Sequence, residues 1–130
     1  NVLEENRFNK ISRERELFSI HKEPAQLTKK IIYKFKKEVE SSSAQFMVLH
    51  LPRLIDLQQI AEKKELTYID LLNQINKECD FIHPENALIN TLQQEKMSLL
   101  FMKGNHYSAK ANKIVAEELA IFIHKSLLSD

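Results

Sequence analysis

A chain of 130 residues, 43% apolar and 28% charged, has room for one hydrophobic core and not two, and its composition excludes intrinsic disorder. A net charge of +1, from 19 basic and 18 acidic residues, leaves no electrostatic footprint for nucleic acid or an anionic membrane. One cysteine excludes an internal disulfide and a cysteine-based zinc site, and no apolar run approaches the roughly 18 residues of a membrane span.

Residues 1–24 are polar and weakly patterned, a segment with short apolar contacts at Phe8, Ile11, Leu17 and Phe18 and partial helical character. Pro24 then opens a helix. Leu27, Ile31, Phe35 and Val39 recur every fourth residue, with Ile32 beside them and lysines opposite. The basic run from Lys29 to Lys37 alternates with this stripe and is a solvated face. Ser41, Ser42 and Ser43 end the helix. The run "AQFMVLHLP" predicts a buried strand from Phe46 to Leu51, stopped by Pro52.

Leu54, Leu57 and Ala61 suit a second helix through Lys64. Leu66 to Asp70 predicts a brief strand, with Asp70 capping a helix whose Leu71, Leu72 and Ile75 face inward. A loop follows over "CDFIHPEN", with Cys79 as a small buried hydrophobe. Asn86 caps a helix through Gln94, and Met97 to Met102 is a third strand candidate. The last helix runs from Ala109 to Leu127, with Ala111, Val115, Leu119, Ile123 and Leu127 on one stripe.

This alternation predicts an α/β fold of layered helix–sheet–helix type with a mostly parallel sheet. Two or three strands make the sheet narrow and incomplete. Its open edge calls for cover by a missing segment or a partner chain.

The chain holds one glycine where average usage gives about nine. Phosphate-cradling loops, dinucleotide-binding turns and nucleophile elbows all depend on glycine, so no cofactor is implied and no such loop lies within the chain. Three histidines lie near the ends of predicted elements, where open α/β sheets gather reactive groups: His50, His83 and His106. His21 and His124 read as surface residues. No spacing among the three supports a metal site. The corner "GNHYSAKANKIVAEEL" is more informative. Gly104 permits a tight turn, Ser108 is placed to cap the final helix, and the apolar stripe beyond pins that helix to the sheet. A general base needs such a rigid mount.

The stretch "FMKGNHYSAKANKIVAEELAIFI", residues 101–123, resembles the last motif block of the SGNH (GDSL-type) hydrolases, with its features falling on His106, Ser108, Asn112, Val115 and Ala116. The upstream order of "IIYKFKKEV", "FMVLHLP" and "TYIDLL" resembles the same family's C-terminal half. The resemblance implies a flavodoxin-like SGNH fold, with residues 1–24 a polar N-terminal segment and 25–130 the C-terminal portion of one such domain. It implies a serine hydrolase acting on an ester-type small molecule or an acetylated glycan, with His106 as general base.

Two features depart from the family. The aspartate usually found two or three residues before the histidine is replaced by Gly104 and Lys103. Asn105, a backbone carbonyl, or an acid from elsewhere would orient the ring instead. The nucleophile, oxyanion and Gly-x-Asn-Asp blocks have no counterpart in this chain, so the isolated 130 residues are expected to be inactive. Asp80-x-x-His83-Pro84 carries the family's usual acid–base spacing and makes Asp80 and His83 the alternative pair. A non-catalytic α/β module for binding or assembly, derived from the same fold, is the competing expectation.

Overall fold

The computed structural model describes residues 2–94 and 96–128. Among them helices dominate an α/β fold. Its order is α1 (Val2–Leu17), α2 (Glu23–Ser41), β1 (Met47–Leu49), α3 (Leu54–Ala61), α4 (Ile69–Glu78), β2 (Asp80–Ile82), α5 (Glu85–Gln94) and α6 (Ala109–Leu127). A 3₁₀ turn at Met97–Leu99 precedes α6. β1 and β2 pair as an open, two-stranded parallel sheet, and the segment carrying α3 and α4 supplies the long crossover that parallel strands require. No helix among the described residues is long and apolar enough to cross a membrane.

The chain divides into two compact units, one of Asn1–Met47 and Glu65–Asp80, the other of Val48–Lys64 and Phe81–Asp130. The first contains α1, α2 and α4. Pro24 sits in the first turn of α2, where its missing N–H leaves nothing unsatisfied. The apolar stripe expected to face inward does not: Leu27, Ile31 and Phe35 are all more than half exposed. The packed side carries Ala25, Ile32, Tyr33 and Lys36 instead. From it Tyr33 Oη donates to the Gln74 carbonyl (3.3 Å), Lys29 Nζ to Gln74 Oε1 (2.9 Å) and Lys36 Nζ to the Glu78 carbonyl. Leu71, Leu72 and Ile75 of α4 are buried as expected.

Leu66 to Asp70 is not a strand. Leu66 and Thr67 begin a buried turn, Ile69 N–H bonds the Leu66 carbonyl (3.2 Å), and Tyr68 holds the N-cap position of α4 without a side-chain cap, with Asp70 already in the first turn. A β-prone run becomes a strand only where another strand offers it a ladder.

The second unit holds most of β1 and β2 together with α3, α5 and α6. Its core is Leu57, Leu88, Ile89, Leu100, Phe101, Ala111 and Val115. Asp56 anchors the start of α3. Its Oδ2 accepts the Arg53 backbone N–H (2.8 Å) and Nε (3.0 Å), while Oδ1 accepts Nη2 (2.8 Å). Asp56 is thereby buried with its charge met.

The segment "CDFIHPEN" is not a loop throughout, because Asp80–Ile82 is β2. Pro84, fully buried, ends it and leads into α5. The third strand expected at Met97 to Met102 is replaced by the 3₁₀ turn and a single antiparallel bridge, Phe101 to Tyr107. The Ser108 hydroxyl and backbone N–H take the Leu99 and Leu100 carbonyls, respectively, that a strand would present to a neighbour. On α6, Ala111 and Val115 are buried, Leu119 is half-buried and Ile123 is exposed. The Leu127 side chain, expected on that stripe, and that of Met97 lie outside the described residues.

Candidate active site

The corner carrying His106 is built by backbone chemistry. Asn105 N–H bonds the Met102 carbonyl (3.1 Å), closing a turn in which Gly104 at φ +85° holds the third position. That left-handed conformation suits glycine. Asn105 follows at φ +61°, a region asparagine tolerates. Met102 N–H then returns to the His106 carbonyl (2.8 Å), and Ser108 N–H to the Leu100 carbonyl (2.9 Å). Ser108 Oγ accepts the Ala111 N–H at 3.2 Å and caps α6.

The Tyr107 hydroxyl donates to the Pro52 carbonyl at 2.6 Å, and its ring meets Phe101 edge-on at 5.3 Å. Burial first, then the carboxylates of Glu85 and Asp56, push the Tyr107 hydroxyl up to about 12. The His106 ring itself is exposed. It lies against Gly104 so closely that a Cβ there would stand 3.3 Å from its Cδ2. Among the described residues no side chain is hydrogen-bonded to this ring, and neither Asp nor Glu replaces the missing acid.

Asp80 is exposed at the start of β2 and belongs to the first unit, while His83 follows the strand's last residue and belongs to the second. The carboxylate beside His83 is Glu85, whose Oε2 lies 3.8 Å from His83 Nδ1. The His83 ring stacks on Phe81 at 4.4 Å and is about half exposed, at 47%. With Phe81, Ile82, Glu118, Ile121, Phe122 and Lys125 it lines a groove of about 210 Å³ in the second unit.

Glu85 also holds His50. The imidazole directly after β1 donates from Nδ1 to Glu85 Oε1, while its backbone N–H continues the ladder to the Ile82 carbonyl (3.2 Å). Burial acts to raise the Glu85 carboxyl. The His50 bond, its own backbone N–H and the charges of His50 and His83 outweigh that and hold it below its ordinary value. Glu85 Oε2 is buried without a hydrogen-bond partner. This His50–Glu85–His83 cluster was not apparent from the sequence. Its one sequence signal was the position of His50 and His83 near the ends of predicted elements.

Cys79 is buried in the first unit. Burial foremost, then Glu78, Glu40 and Asp80 against Lys36, raises its thiol and makes it a poor nucleophile. His21 and His124 are exposed. No group of three His, Cys, Asp or Glu side chains among the described residues converges to hold a metal ion. No protein-family model, curated protein or solved structure matches the chain.

Proposed function

We propose that this chain is the C-terminal portion of a flavodoxin-like, SGNH-type serine hydrolase that cleaves esters or O-acetyl esters, and that His106 is its general base. The mount of His106 carries this proposal: an exposed imidazole in a turn closed by three backbone hydrogen bonds, immediately before a serine-capped helix. A base that serves a hydroxyl from another stretch of polypeptide must be both open to it and fixed in position. His106 takes the proton of the attacking serine and returns it to the leaving group. The serine and the oxyanion donors come from sequence outside these residues.

The test is esterase activity on p-nitrophenyl acetate. The 130-residue chain alone turns over nothing, because its base has no positioned nucleophile. In a polypeptide that also carries a Gly-Asp-Ser-type block, His106→Ala lowers kcat by about 10²- to 10⁴-fold. Activity of the isolated chain abolished by changing one of its own serines overturns the proposal, as does an encoded protein with no such block.

A non-catalytic binding or assembly module is the second reading. It is favoured by the lack of a hydrogen-bonded acid at His106 among the described residues. Esterase activity that survives His106→Ala rules out the base role of His106.

A further inference from the structure

The second unit contains a histidine with a buried carboxylate beside it, which His106 lacks. Glu85 is nine-tenths buried, and its two oxygens are treated differently: Oε1 accepts His50, while Oε2 has no donor. An ionised oxygen shut away from water without a hydrogen bond is costly and draws in whatever donor can reach it. His83 Nδ1, at 3.8 Å, lies about 0.9 Å beyond ordinary hydrogen-bond length. The ring is half exposed and stacked on one face by Phe81, which leaves its other face open for a tilt toward Glu85. Once Nδ1–H is given to Glu85, Nε2 on the far side of the imidazole keeps its lone pair. The groove beside the ring then offers apolar walls from Phe81, Ile121 and Phe122. This is the order of parts in an acid–base site: a buried carboxylate fixes the tautomer, and the free nitrogen meets the ligand.

We propose that His83, oriented by Glu85, forms a ligand site in which Nε2 accepts a hydrogen bond from the hydroxyl of a small alcohol or phenol whose apolar body lies on Phe81, Ile121 and Phe122. Glu85 is the positioning residue, and His50 secures Glu85 from behind. A groove of about 210 Å³ has room for a single small ring such as phenol. The site needs nothing from outside the chain, so it stands or falls separately from the role of His106.

Nitrogen-15 correlation spectra of the histidine rings, recorded on the 130-residue chain near neutral pH with and without phenol, test it. The expected result is the Nδ1–H tautomer at His83, loss of that preference in Glu85→Gln, and a saturable response of the His83 resonances to phenol. Binding weakens about tenfold or more in His83→Ala, the loss expected for one desolvated hydrogen bond. The wild-type tautomer and the exposed His83→Ala variant remain decisive even where Glu85→Gln unfolds. An Nε2–H tautomer in the wild type, phenol binding unchanged in His83→Ala, or saturation by benzoate but not by phenol overturns the site. The last outcome makes His83 a cationic anchor instead.

Discussion

Helices α2 and α6 carry equally regular apolar patterns, yet the two units treat them differently. In the second unit Ala111 and Val115 of α6 are buried against Leu57, Leu88 and Leu100, three side chains with no exposed surface. In the first, Leu27, Ile31 and Phe35 of α2 face outward at 54–59% exposure, and α2 meets α4 through the polar tips of Lys29, Tyr33 and Lys36. No residue of α1 is fully buried. Periodicity therefore says that a helix has an apolar face and does not say that the face is covered. The chemistry follows the packing. His50, Asp56, His83, Glu85 and His106 all belong to the second unit, where a dense core holds ionisable groups in fixed positions.

The contrast is broken most severely by opening the dense core. Leu57→Ala removes a fully buried side chain and is expected to cost about 2–5 kcal/mol, read from the urea midpoint. A loss under about 1 kcal/mol would mean that this core is no tighter than the first unit.

Alkali tests the polar shell around it. Tyr107 titrates near 12 in the fold against 10.0 for its ordinary value. A group whose folded pKa is raised stabilises the fold fully below its unfolded pKa and loses that contribution as pH rises through the folded one. Stability is therefore expected to fall between about pH 10 and 12, and Tyr107→Phe to remove that part of the slope. An unchanged slope in Tyr107→Phe would place the alkaline loss elsewhere.

Ser108→Ala deletes the cap of α6 and is expected to cost about 1 kcal/mol. The smallest effect is reserved for the exposed stripe of the first unit. Ile31→Ala changes stability by about 0.5 kcal/mol or less in the isolated chain. A larger loss would show that something covers this face in solution.

Much of the second unit was legible from local rules. Gly104 in a tight turn, Ser108 as cap and the extent of α6 all follow from hydrogen bonds and dihedrals settled within a few residues. A buried strand was expected from Phe46 to Leu51 with its stop at Pro52; β1 is Met47–Leu49, half-buried, and ends before the proline, where its pairing with β2 ends. The misses lie where a partner was needed. Asp80–Ile82 is three residues long and becomes a strand because β1 lies beside it, whereas Leu66 to Asp70 and Met97 to Met102, with better strand composition, find no ladder. Asp80 and His83 have a suggestive spacing, but Asp80 falls in the first unit and His83 in the second.

The sequence by itself determined the α/β class, most helix starts and stops, and the shape of the corner under His106, because capping, proline and positive-φ preferences act between near neighbours. Only the tertiary structure decided which side of α2 is packed, which short run is β2, and which carboxylate stands beside His83. Glu85 and His50 are 35 positions apart. No local rule joins such residues; packing two strands and the start of α5 around one buried carboxylate does.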